Sequence, residues 1–152
     1  MGMQFSVLAS GSTGNATVVT DGDIHILIDA GLSGKKIDAL LQERQLSGNN
    51  IDVILITHEH DDHIKGLGPF ARKYDLPIYA NENTWGKLDQ QIGPIALERR
   101  KILQTGARMD MGSIRVESYG ISHDAVEPVG YCFFQGEEKL SLATDLGYMS
   151  EK

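Results

Sequence analysis

Cysteine is nearly absent from this 152-residue sequence: Cys132 stands alone. No intrachain disulfide can form, and a reducing compartment is expected. Apolar runs are short, and none approaches the ~18 residues that a membrane-spanning helix needs. The N-terminus has no basic segment followed by an apolar core of the kind that directs secretion. The chain therefore reads as soluble and cytoplasmic, with no membrane partner. Met1-Gly2-Met3-Gln4-Phe5-Ser6 formally fits an N-myristoylation pattern, but Phe5 to Ala9 reads as a buried strand. Basic residues are outnumbered: 14 Lys and Arg against 21 Asp and Glu leave a net charge of −7. That balance argues against gripping nucleic acid by bulk electrostatics alone. It leaves a nucleic-acid substrate open, because bound divalent cations would reverse the potential locally. Repeats, low-complexity tracts and linkers are missing too, so residues 1–152 read as one domain. What remains is ordinary globular composition, 41% apolar and 23% charged, enough for a hydrophobic core.

The first third reads as strands joined by tight turns. Gln4 to Ala9 and Ala16 to Thr20 flank a turn of small residues, Ser10 to Asn15, and Ile24 to Ile28 returns after the hairpin turn Asp21-Gly22-Asp23. A helix follows Gly31 to Gly34, with Ser33 as N-cap and Ile37, Leu40 and Leu41 on its apolar face. Asp52 to Thr57 is a β-branched apolar run suited to a strand covered on both faces. Leu67, Phe70, Ala71 and Tyr74 recur at i, i+3, i+4, i+7, which predicts a helix with Pro69 in its first turn. Leu76 to Ala80 is a further strand, Glu82 to Gln91 a further helix and Ile114 to Tyr119 an alternating strand. Val129 to Phe134 and Lys139 to Ala143 form a hairpin around Gln135-Gly136-Glu137-Glu138. Asp29, His58, His123 and Asp145 each fall just after a predicted strand, where layered α/β folds gather their sites.

His58, His60, Asp62 and His63 place four candidate metal ligands within six residues. Imidazole and carboxylate suit zinc and other first-row divalent ions. On a helix, residues 58 and 60 would point apart; in a loop after a strand both can turn toward one ion. Asp62 and His63 are then free to address a second ion or a water bound to it. The plain alternative is a solvated polar loop, but an H-x-H-x-D-H pattern capping a buried strand is not a common one.

The run Thr57-His58-Glu59-His60-Asp61-Asp62-His63-Ile64-Lys65-Gly66 resembles the signature of the metallo-β-lactamase superfamily. Four flanking motifs are similar to its YycJ/WalJ-like, exonuclease-type branch: Leu8 to Asn15, Leu27 to Gly31, Ser122 to Ala125 and Ala143 to Gly147. The resemblance covers essentially the whole chain. It implies an α/β fold, the αβ/βα sandwich, with a dinuclear site at one edge. It further implies two divalent ions, zinc foremost with manganese or iron as alternatives. By the same analogy His58, His60 and His123 bind one ion, Asp62 and His63 help bind the other, and Asp145 bridges them. Asp29 would orient a ligand from behind. Two such ions lower the pKa of a shared water, and Asp62 would act catalytically by accepting its proton.

Each residue also has a plainer role to weigh. His123 stands 60 residues beyond His63 and would otherwise be an ordinary loop histidine; Asp145 and Asp29 would be turn or capping residues. His25 reads as structural or superficial. The Ser10 to Asn15 turn is either a simple hairpin or an anion cradle of backbone N–H groups, and it lacks the Lys and Thr/Ser of a P-loop. Trp85 reads as packing, Cys132 as a buried inert thiol, and Arg99-Arg100-Lys101 as a solvated basic face.

The resemblance asks for one more histidine than this sequence contains, since His25, His58, His60, His63 and His123 are all there are. The expectation is that only the N-terminal half to two-thirds of the sandwich is present. Exposed strand faces and edges would then favour self-association, and a clean monomer by light scattering would count against that. Four functions compete: hydrolysis of DNA phosphodiesters in the manner of a 5′-to-3′ exonuclease, hydrolysis of a small ester, thioester or lactam by the same centre, a mononuclear iron redox enzyme, and a non-catalytic scaffold. Asp62 argues against the last, because a purely structural metal site has no need of a base.

Overall fold

The computed structural model describes residues 2–122, 125–143 and 147–151. Among them are eleven strands in two sheets and four α-helices. The first sheet runs in sequence order. β1 (Gln4–Ala9), β2 (Ala16–Thr20) and β3 (His25–Ile28) pair antiparallel, and β4 (Val53–Leu55), β5 (Ile78–Ala80) and β6 (Arg100–Ile102) continue it in parallel. The second sheet is an antiparallel meander of β7 (Arg108–Met111), β8 (Ile114–Gly120), β9 (Val129–Gln135), β10 (Glu138–Ala143) and β11 (Gly147–Glu151).

Parallel pairing requires crossovers, and these are helical. α1 (Gly34–Gln42) joins β3 to β4, α2 (Asp61–Ile64) and α3 (Leu67–Tyr74) join β4 to β5, and α4 (Glu82–Leu88) joins β5 to β6. Their starts and stops follow local chemistry. Ser33 Oγ accepts from Lys36 N and Asn81 Oδ1 from Thr84 N, so α1 and α4 each begin on a side-chain cap. Asp75, left-handed at φ 55°, closes α3 behind Arg72 and Lys73.

The first sheet is covered on both faces. Leu27 and Ile54 point toward Ile37, Leu41, Leu67, Phe70, Trp85 and Leu88 of the helices. Ile26, Ile28 and Leu55 point the other way, onto Ile114, Val116, Val129, Tyr131 and Phe133 of the second sheet. That is why Ile26 to Ile28 of β3 and the whole of β4 read as apolar runs while β8 alternates Ile114, Val116 and Ser118 inward with Arg115 outward. The layers are helices, sheet, sheet, in keeping with three of the four layers of an αβ/βα sandwich. Among the described residues no helix covers the outer face of the second sheet, and none is long and apolar enough to cross a membrane.

Some expectations need correction. β1 is an edge strand and its Phe5 is 36% exposed, not buried. Cys132 is only partly buried, with its Sγ 3.3 Å from Ser141 Oγ. Trp85 packs as expected, 4% exposed, its indole N–H donating to Lys101 O.

Candidate metal centre

The C-terminal ends of β3 and β4 lie side by side, and the chain leaves both into the same space. Asp29 follows β3 in the left-handed region at φ 64°, a conformation that costs energy outside glycine and is tolerated best by Asn and Asp. Its carboxylate is 4% exposed and fully used. Oδ1 accepts from Thr57 N at 2.8 Å; Oδ2 accepts from Thr57 Oγ1 at 2.7 Å and from His63 Nδ1 at 2.6 Å.

Proton bookkeeping then fixes two tautomers. His63 donates its Nδ1–H to Asp29, which puts the ring's lone pair on Nε2. The single hydroxyl proton of Thr57 goes to Asp29, so at the 3.0 Å contact with His58 Nδ1 the hydroxyl oxygen accepts and His58 donates. Its lone pair also falls on Nε2. Both rings are buried, His58 completely. They lie 4.1 Å apart between centroids, with His60 4.5 Å from His58.

His60 ends the extended stretch after β4 and is the N-cap of α2. This four-residue helix carries Asp62 and His63. It is held by long-range bonds: Ala30 N donates to His63 O, Gly66 N to Ala30 O and Asn15 Nδ2 to Asp62 O, at 2.8, 2.8 and 3.0 Å. The fit allows no side chain at Gly31, where a Cβ would lie 1.8 Å from Asp62 O. Asp62 Oδ2 stands 3.6 Å from His63 Nε2, with 28% of its side chain exposed.

The structure thus brings His58, His60, Asp62, His63 and Asp29 together. Among the described residues no three His, Cys, Asp or Glu side chains yet converge on one point as ligands of a single ion. His123 and Asp145 lie outside the described residues. Residues 126–129 are tied to the segment that carries the cluster: Val126 N donates to Glu59 Oε2 at 3.1 Å and Val129 N to Thr57 O at 2.9 Å. Three imidazoles and a carboxylate, two of the rings oriented from behind with Nε2 lone pairs, are a donor set that fits a divalent transition metal.

Thr57 and Asn15 are functional residues of the cluster that sequence pattern alone does not single out. A polar residue closing an apolar strand was the available signal for Thr57, and Ser10 to Asn15 was noticed without its purpose. The basic run is already engaged, Arg99 by Asp75 and Arg100 by Asp89 and the Trp85 ring. His25, at the opposite end of β3 from Asp29, is not part of the cluster.

The sequence matches the family model described as the Metallo-beta-lactamase superfamily over residues 9–152. It is 52% identical over 152 residues to "Exodeoxyribonuclease YycJ" of Bacillus anthracis, covering 100% of this chain and 58% of that protein. It is 44% identical over 154 residues to "Exodeoxyribonuclease WalJ" of Streptococcus pneumoniae, covering 100% of this chain and 57% of that one. Among solved structures, a Cronobacter sakazakii metallo-beta-lactamase with an HARLDQ motif superposes at TM-score 0.76 and 15% identity, over 90% of this chain and 57% of that chain. A likeness at that identity speaks for the fold alone. The chain spans 57–58% of the length of these relatives.

Proposed function

Because the chain belongs to the metallo-beta-lactamase superfamily, we propose that it is a metal-dependent hydrolase acting on DNA phosphodiester bonds, in the manner of a 5′-to-3′ exonuclease. The observation that carries the metal reading is the buried Asp29–Thr57–His58–His63 network, which orients two imidazoles with their Nε2 lone pairs away from it. The DNA reading is supported by identity along the full chain to two proteins named exodeoxyribonucleases.

His58, His60 and His123 would hold one divalent ion, Asp62 and His63 the other, with Asp145 shared between them. Zinc suits this set best, and manganese and iron also accept it. When bound, the ions acidify a water and offset the charge that develops on the attacked phosphodiester. The chain's own residues do the remaining work. Asp29 holds the His63 ring from behind, and Thr57 links that carboxylate to His58. Asp62 would take a proton on its carboxylate, which Asn15 Nδ2 holds in place through Oδ2 at 3.1 Å.

The test is hydrolysis of end-labelled DNA with Zn²⁺ or Mn²⁺ by the parent, His60→Ala and Asp62→Ala. Asp62→Ala is expected to lose ~10²–10⁴-fold in kcat. If both variants cut DNA as fast as the parent, the catalytic assignment fails. Thioester and lactam substrates run in parallel would overturn the DNA reading if they alone were turned over. One iron per chain with oxygen-dependent activity would overturn hydrolysis.

A further inference from the structure

The turn between β1 and β2 reaches across to the polar cluster through a single side chain. Asn15 Oδ1 accepts from Gly11 N at 3.1 Å, and Nδ2 donates to Gly11 O at 2.9 Å, Asp62 O at 3.0 Å and Asp62 Oδ2 at 3.1 Å. The Gly11 N–H settles which way the amide faces, because only the oxygen can accept from it. Nδ2 is therefore turned toward Asp62. Its two N–H bonds meet three acceptors, so one is shared. The backbone on either side is fixed as well: Gly31 N donates to Asn15 O at 2.9 Å, and Gly31 itself lies against Asp62. Asn15 thus touches both ends of one residue, the carbonyl that sets the course of α2 and one carboxylate oxygen.

We infer that Asn15 is a positioning residue for Asp62. By donating to Oδ2, the oxygen that also stands 3.6 Å from His63 Nε2, it sets the rotamer of the carboxylate and holds it beside the His63 ring. The small-residue turn from Ser10 to Asn15 then serves as a bracket for the metal centre: Gly11 N and Gly14 N are spent within the turn, on Asn15 Oδ1 and Gly11 O, and Asn15 Nδ2 reaches Asp62. This rests on the proposal that Asp62 is a metal ligand.

The experiment is a Zn²⁺ competition titration against a chromophoric chelator, with kcat and KM measured alongside. Asn15→Ala is expected to weaken Zn²⁺ binding ~10–100-fold and to lower kcat with KM unchanged. Ser12→Ala, an exposed change in the same turn, is expected to do neither. In an Asp62→Ala background, adding Asn15→Ala is expected to cost less affinity than it does in the parent, because the carboxylate is gone and only the bond to the residue-62 carbonyl remains. Parent-like affinity in Asn15→Ala, an equal loss in Ser12→Ala, or additive losses in the double variant would each overturn the inference while leaving Asp62 a ligand. Parent-like affinity in Asp62→Ala would overturn the ligand reading and this inference with it. Should Asn15→Ala not fold by circular dichroism, Asn15→Asp takes its place. It keeps the acceptor for Gly11 N–H but cannot donate to Asp62, and parent-like affinity in it would overturn the inference equally.

Discussion

Two regions of this molecule are equally dry and differently built. One is the seam between the sheets, where Ile26, Ile28 and Leu55 meet Ile114, Val116, Val129 and Phe133. The other is the knot at the ends of β3 and β4, where Asp29, Thr57, His58 and His63 are just as buried but joined by hydrogen bonds. Apolar contact is non-directional and relaxes around small changes in shape. A buried polar network does not relax in that way: each donor has an intended acceptor, and orphaning one costs its full desolvation. The seam therefore supplies stability, and the knot supplies geometry. They are coupled where the Tyr131 hydroxyl donates to Ile56 O at 2.6 Å and Val129 N donates to Thr57 O. Burial drives the Tyr131 phenol far above its usual range, so it remains a neutral donor.

The largest effect on stability is expected in the seam. Phe133 is fully buried, and Phe133→Ala leaves a cavity worth ~3–5 kcal/mol, measurable by denaturant unfolding. Zn²⁺ affinity of the molecules that remain folded is expected to change less than about twofold, because no ligand or ligand-orienting bond is touched. A folded Phe133→Ala variant that had lost its metal would erase the distinction between the two regions.

The knot should show the opposite ratio. Asp29→Asn preserves shape but leaves one acceptor oxygen where three donors converge, from Thr57 N, Thr57 Oγ1 and His63 Nδ1. The expected cost is ~1–3 kcal/mol of stability together with a ~10–100-fold loss of Zn²⁺ affinity. Unfolding and metal titration on the same preparation check both at once, and a stability loss without an affinity loss would make Asp29 a structural residue only.

The same contrast explains what was legible in the sequence. Apolar periodicity reports burial, so the elements of the seam and the helical face were readable: β1, β2 and α3 have the bounds their patterns suggest, and β8, β9 and β10 differ by a residue. α2 was not foreseen, because Asp61-Asp62-His63-Ile64 has no apolar period and is held by bonds to Asn15 and Ala30. β6 and β7 escaped for a related reason: both are short, charged edge strands at a sheet margin. Within the site, His58, His60, Asp62 and His63 announce themselves by spacing. The work of Thr57 and Asn15 depends on partners 28 and 47 residues away in sequence, which local pattern cannot reveal.

The smallest effect belongs to a polar contact that resembles the knot in chemistry but not in burial. At the far end of β3 from Asp29, half-buried Asp21 joins the sheets: it accepts from Asp23 N and Ile24 N within its own hairpin, and from Ser113 Oγ and Gln135 Nε2 of the second sheet. The Ile24 N–H, then the Ser113 hydroxyl, hold its carboxyl down at about 2, against 3.8 in the absence of such partners. The folded value is the depressed one, so the contribution is present above the unfolded pKa and drains away as pH falls from about 4 toward 2. Water screens this group, which limits the contribution to under ~1 kcal/mol at neutral pH. Asp21→Asn is expected to lose that much at pH 7, to converge on the parent only below about pH 2, and to leave Zn²⁺ affinity alone. Urea unfolding of both proteins across this range decides it: a gap independent of pH would mean that the hydrogen-bond pattern and not the charge carries the joint. A weakened metal site would mean that the two ends of β3 are less independent than the contrast between seam and knot requires.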